Sequence, residues 1–236
     1  MKGACNMGNQ EYLSKIAEYG QLIVISGASG VGKRTIIQEY MKEHPNAFRC
    51  VSLTTRAMKP GEVDGEKHWF VSNQEFERLA RTNQLFEYSF YHRIGYGTTR
   101  TAVEEARKAG RNVILIEDVV GAMRVRALCP DATLIFLLTP TWDELEERIR
   151  DRHEGEPEGA IQDYIQSAQE EILCAGQYDY ILINDTIEKT VRRLGQIIHG
   201  NRYRSKSMNA FLKSYIESEI DSGLASEVHE YVMSHH

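Results

Sequence analysis

QLIVISGASGVGKRTIIQEYMKEH, residues 21–44, decides the fold of this chain. Its first six residues form an apolar run ending at Ser26, which reads as a buried strand. RTIIQEYMKEH has helical spacing and ends near Pro45. Between them lies a glycine-rich loop, GASGVGKRT, from Gly27 to Thr35. Gly27, Gly32 and Lys33 satisfy G-x-x-x-x-G-K, and Gly30 adds a further permissive position. Glycines let the backbone wrap so that successive N–H groups face anionic oxygens. The helix that follows offers its positive end to the same anion. The loop Gly27, Ala28, Ser29, Gly30, Val31 and Gly32, with Lys33, Arg34 and Thr35 opening the helix, therefore reads as a nucleoside triphosphate cradle. A hydroxyl is usual directly after the lysine, where it helps to hold Mg²⁺; here Arg34 stands there and Thr35 follows.

Outward from the loop, short apolar runs alternate with helical patterns. NVILIED (112–118), ATLIFLL (132–138) and YDYILIND (178–185) read as further buried strands. Continuous Val/Ile/Leu runs suit a parallel sheet covered on both faces. TRTAVEEARKAG, TWDELEERIRDR and IEKTVRRLGQIIHG supply helices with charged outer faces. The expected class is α/β, a doubly wound parallel sheet of the P-loop NTPase type. Two stretches interrupt the alternation: a turn-rich, β-like lobe at about 49–96, and a polar flap, RHEGEPEGA, within a lid at about 150–165. The expected organisation is an N-terminal segment 1–20, a principal domain 21–204, and a helical extension 205–236. One apolar stripe on that extension either packs on the body or meets a partner.

Composition narrows the function classes. The 236 residues carry a formal net charge of −6, which argues against a nucleic-acid binder but leaves room for a local basic pocket. Cys5, Cys50, Cys129 and Cys174 are isolated, without metal-ligand spacing, and read as buried thiols in a reducing compartment. No apolar stretch reaches the ~20 residues of a membrane span, and the N-terminus has no signal-peptide pattern. A cytoplasmic protein, monomer or homodimer, with no membrane or nucleic-acid partner, is expected.

SLTTRAMKPGEVDGEKHWFVS (52–72), FEYSFYHRIGYGT (86–98), EDVVGAMRVRALCPDATLIFL and YDYILIND follow the loop in that order. Together they resemble guanylate kinase over roughly 21–204. The resemblance implies transfer of the γ-phosphoryl of ATP to GMP with Mg²⁺, on a P-loop sheet with a monophosphate lobe and a lid. Arg56 matches an arginine gripping the acceptor phosphate, and Tyr96 a tyrosine donating to it. Glu87 matches the guanine-reading glutamate, since a carboxylate can accept both N1–H and N2–H. Ser52 and Thr98 match hydroxyls near the base. Lys33, Arg148 and Arg152 are the implied catalytic cations, the last two on one helix face. Asn184 falls in the late IND stretch assigned to ATP.

The chain departs from the family pattern at several of these places. Lys59 stands where a second arginine is usual, so a fork becomes a point charge. His68 replaces a tyrosine at the acceptor phosphate, where its protonated form would help, titrating near 6.5. Tyr164 replaces a lid arginine, a loss that Arg34 is expected to offset. Of two usual acids the first is Ile116, leaving Asp118 to support the metal or the base. Glu117 is set aside because neighbouring strand residues face opposite sides. Mg²⁺ is expected to be held through phosphates and water, with Asp118 or Thr35 as protein ligands. The alternatives are a related kinase acting on another phosphorylated molecule, such as a sugar phosphate, and a weakly catalytic protein-binding domain of the same family.

Overall fold

The computed structural model describes residues 20–91, 93–204 and 208. The N-terminal segment before residue 20 and, apart from residue 208, the helices expected after 204 lie outside the described residues. The principal sheet has five parallel strands in the order β2–β7–β1–β8–β9: β1 Leu22–Ser26, β2 Ala47–Arg49, β7 Asn112–Ile116, β8 Thr133–Leu138 and β9 Tyr180–Ile183.

Alternate residues of the three central strands face opposite sides, and both sides are apolar. Ile23, Ile25, Ile114, Ile135 and Leu137 pack with α1 (Lys33–Glu43), α5 (Trp142–Arg152), α6 (Glu158–Leu173) and α7 (Ile187–Asn201). Leu22, Val24, Val113, Leu115, Leu134 and Phe136 pack with α3 (Arg100–Lys108) and α4 (Val119–Leu128). Helices on both faces leave no solvent side, which explains runs of β-branched and leucine residues without polar alternation. Each such fully buried side chain contributes about 1.5–3 kcal/mol.

A second sheet, ordered β4–β3–β6–β5, comprises β3 Ser52–Thr54, β4 His68–Phe70, β5 Leu85–Tyr91 and β6 Ile94–Thr99. β2 lies outside it, in the principal sheet, so this β-rich unit begins after Arg49 and ends at Thr99. It carries a helix not anticipated above, α2 (Asn73–Arg81), whose N-cap Ser72 Oγ accepts from Glu75 N–H at 3.1 Å. Phe76 and Leu79 of α2 pack with Leu53 and Leu85 in a core separate from the principal one. The β5–β6 ladder shifts register between Leu85, opposite Thr99, and Glu87, opposite Thr98. This bulge at Phe86 re-aims the strand: Phe86 joins the principal core while Glu87 faces Thr98.

Phe76 is 1 % exposed and meets the rings of Tyr88 and Phe90 edge-on, with Gly95 packed against its face. Phe76→Ala is expected to lower stability by about 3–5 kcal/mol. Urea denaturation checks this; a loss under about 1 kcal/mol would mean that the small core collapses onto the cavity.

Candidate active site

The loop after β1 is shaped by steric necessity at two glycines. Gly27 has φ 139°, and a Cβ there would lie 2.3 Å from Leu137 O on β8. Gly32, before α1, has φ 92°, and a Cβ there would lie 2.6 Å from Asn184 Nδ2. Asn184 follows β9 and is buried. Its amide donates to Val31 O at 2.8 Å, and its Oδ1 accepts from Thr190 Oγ1 at 3.2 Å on α7. Asn184, expected to touch ATP, therefore braces the loop from the protein side and does not line the cleft. The Ala28 and Val31 side chains are also in the core, so these residues offer a ligand only their backbone.

Lys33 Nζ rests on Gly27 O and on Ala28 O, the latter at 3.1 Å. Burial pushes its ammonium down to about 8. Glu171 and Asp118 act against that shift, and Arg152 adds to it. Glu171, on α6, is itself raised by burial against the Lys33 charge. It lines the cleft, and nothing in its sequence neighbourhood marked it.

A cleft of about 770 Å³ opens at the carboxyl ends of β1, β2 and β7, bounded by the second sheet and by α5 and α6, where open α/β sheets bind ligands. Ser29, Gly30, Arg34 and Thr35 line it from the loop. Ser52, His68 and Tyr96 line it from the second sheet, and Arg148 and Arg152 from α5. Arg148 is paired with Glu144 one turn earlier. Arg152 makes no ion pair among the described residues. Tyr164 stacks on His153 at 3.9 Å between centroids, in the cleft wall. Burial lowers Arg49, and the Arg34 charge adds to that shift. Arg34 and Tyr164 line the same cleft.

Arg56 and Lys59 do not line the cleft as expected. The Arg56 guanidinium forms a two-pronged pair with Glu62, both contacts at 2.9 Å, and lies over the Phe70 ring at 5.3 Å. Glu62 also accepts the Lys59 backbone N–H at 2.8 Å. The Arg56 hydrogen bond, chiefly, pulls the Glu62 carboxyl down to about 2. The TTR and PGEVDG stretches are thus fastened to each other, with Arg56 beside Tyr96. The Lys59 ammonium is exposed; the cations that line this side are Arg49 and Lys67. His68 is pushed below its ordinary value by burial, then by Arg56 and Arg34. Its imidazole is neutral at neutral pH, so the expected titration near 6.5 moves to more acid conditions.

Glu87 and Thr98, expected at the acceptor base, are not among the residues that line the cleft; Glu87 is 2 % exposed, and neither carboxylate oxygen has a hydrogen-bond partner among the described residues. The buried Thr98 hydroxyl opposite it is also unpartnered. Burial pushes Glu87 up to about 7; Thr98, Glu117 and Arg124 oppose the shift, and Asp118 adds to it. Glu117 corrects the reading above. β7 ends at Ile116, so strand alternation no longer governs the next residue. Glu117 lines the cleft together with Ile116 and Asp118. Asp118 is the N-cap of α4, its Oδ1 accepting the Gly121 N–H at 2.6 Å. Among the described residues no group of three or more His, Cys, Asp or Glu is placed to hold a metal ion.

A family model described as Guanylate kinase matches residues 19–201. A guanylate kinase of Streptococcus thermophilus (strain CNRZ 1066) is 39% identical over 205 residues, covering 86% of this chain and 98% of that protein. One from Streptococcus pneumoniae (strain ATCC BAA-255 / R6) is 41% identical over 189 residues, 80% of this chain and 90% of that protein. The crystal structure of guanylate kinase from Anaplasma phagocytophilum superposes with a TM-score of 0.67 at 26% identity, covering 86% of this chain and 96% of that one.

The Lys33 ammonium sets a pH limit on triphosphate binding. Its charged form attracts phosphate, and in the free protein that form is lost as pH rises through about 8. The dissociation constant of a non-hydrolysable ATP analogue should therefore rise above that value. Lys33→Arg, charged throughout, should flatten this alkaline limb. An unchanged limb in the arginine variant would assign it to another group.

Proposed function

The chain belongs to the guanylate kinase family, and we propose that it transfers the γ-phosphoryl group of ATP to GMP, giving ADP and GDP. The observation that carries this reading is the buried Glu87 carboxylate with both oxygens unpartnered. Guanine presents two adjacent N–H donors on one edge, and the two carboxylate oxygens match them. Adenine places an acceptor at N1, which a carboxylate repels. A sugar phosphate has no such planar edge with two adjacent N–H donors. The glycine loop with Lys33 in its cleft also speaks against a protein-binding role alone.

Phosphoryl transfer asks the protein for position and for cations along the path of the moving group. In this reading the loop amides and Lys33 cradle the ATP phosphates. Arg152, free of any ion pair among the described residues, faces the same anions, and Arg148 is held in place by Glu144. Tyr96 donates to the acceptor phosphate, and Arg56, oriented by Glu62, supplies charge beside it. Ser52 stands near the acceptor base, as does Thr98.

Mg²⁺, when bound, neutralises the β- and γ-phosphate oxygens. The donor set fits a metal carried by the nucleotide, because Asp118 is committed to the α4 cap and the Thr35 hydroxyl is the loop's contribution at the cleft. No helix among the described residues is long and apolar enough to cross a membrane. The buried free thiols of Cys50 and Cys129 support a reducing, cytoplasmic setting.

ADP release with a panel of nucleoside monophosphates tests the reading, GMP being the expected acceptor. Glu87→Gln replaces an acceptor oxygen by a donor. It should raise the KM for GMP by roughly thirtyfold, about 2 kcal/mol for a hydrogen bond to a charged group, with the KM for ATP little changed. Equal turnover of AMP, or a glutamine variant with the parental KM, would overturn it.

A further inference from the structure

Glu117 is a second carboxyl beside Glu87, 9 % exposed, at the point where β7 gives way to α4. Its Oε1 has no hydrogen-bond partner among the described residues. Its Oε2 lies against Gly121, where a Cβ would come within 3.0 Å of it. The Gly121 N–H is already taken by Asp118. Glu87 and Glu117 are within hydrogen-bonding reach of each other. Three buried carboxyl oxygens thus meet without a hydrogen-bond partner among the described residues, and the Thr98 hydroxyl opposite Glu87 can satisfy no more than one of them.

We propose that Glu117 is a positioning residue for Glu87: a neutral carboxylic acid whose O–H donates to the Glu87 carboxylate and holds it facing the acceptor base. The proposal rests on the guanine-reading role given to Glu87 above. Two buried carboxylates side by side cannot both ionise without a strong cation between them. Arg124 on α4 is the cation that offsets Glu87, and it donates to Tyr88 O. Asp118 adds a further negative field, and the Cys50 thiol, pushed up to about 12 mainly by burial, stays neutral. One proton between the pair relieves the repulsion and supplies the missing donor. Burial raises both carboxyls; the Thr98 hydroxyl stands opposite Glu87 and Arg124 offsets its charge, whereas Glu117 shares the Gly121 corner with the Asp118 carboxylate, so the proton is assigned to Glu117. A carboxylate has about four lone-pair sites. Glu87 can therefore accept this O–H and still receive two N–H donors from a base.

The full chain carrying Glu117→Leu or Glu117→Gln tests the assignment in the ADP-release assay. Leucine removes the donor and should raise the KM for GMP by roughly tenfold, with kcat and the KM for ATP within about twofold, as loss of one hydrogen bond to a charged group predicts. The glutamine amide donates in place of the acid and should restore most of that affinity. A leucine variant with the parental KM, or a glutamine variant as impaired as leucine, would overturn the proposal. If the leucine variant fails to fold, infrared difference spectra of the parent and Glu117→Gln in neutral buffer decide the matter. The parent should show the carbonyl stretch of an un-ionised carboxylic acid that the glutamine variant lacks, and identical spectra would refute it. If the parent does not phosphorylate GMP at all, the proposed function fails, while the spectrum still tests the proton on Glu117.

Discussion

A carboxylate withdrawn from water with neither oxygen bonded is among the most costly features a protein interior can hold. Glu87 is such a group, and the surrounding architecture can be understood as what keeps it in place. The bulge at Phe86 is the central device. By taking one residue out of the ladder it puts Glu87 opposite Thr98 and sends Phe86 into the principal core. That aromatic anchor contributes stability of the order of a large buried side chain, about 3 kcal/mol, against the cost of the carboxylate next to it. The polar group is thus held by the apolar residue that precedes it in the chain.

The two sheets divide the work by their cores. The principal sheet is buried on both faces, so its strand ends are rigid, and the loop, Cys50 and Glu117 emerge at fixed positions around the cleft. Asn184 extends that rigidity to the loop itself: a buried amide at the end of β9, two strands from β1, holds Val31 O, and Thr190 holds the amide. The second sheet depends on a much smaller core around Phe76 and on the Arg56–Glu62 pair. A small core gives less resistance to displacement.

The principal sheet was legible because its strands are apolar without interruption and its loop obeys a backbone-determined spacing. α2 was equally legible in retrospect: Ser72, Glu75, Phe76 and Leu79 form a capping box followed by a helical apolar pair, obscured by turn-rich flanks. Side-chain direction was not legible. Arg56 and Lys59 carry motif positions, yet one is spent on Glu62 and the other points to solvent, while Arg49 and Lys67 face the cleft without any sequence mark. Glu117 was misread because alternation was extended past the last strand residue. Where β7 ends is decided by pairing to β1 and β2 and by the Asp118 cap, both invisible to local pattern.

The electrostatics of the cleft run against those of the chain. A protein of net charge −6 gathers Lys33, Arg34, Arg49, Lys67, Arg148 and Arg152 around one cavity. Burial is the main cause that lowers Lys33, Arg49 and His68, and neighbouring cations add to it: Arg152 at Lys33, and Arg34 at Arg49 and His68. Of the acids nearby, Glu144 and Glu62 neutralise Arg148 and Arg56 at close range, whereas Glu171 and Asp118 act on Lys33 through their fields. The arrangement holds positive charge in surplus on the loop side of the cleft, while Glu117 and Asp118 line it at the end of β7, with Glu87 buried beside Glu117. A ligand that relieves both must be anionic at one end and present hydrogen-bond donors at the other. A purine nucleotide with an N–H-bearing edge meets both demands. The polarity of the cleft, more than any single contact, is what selects it.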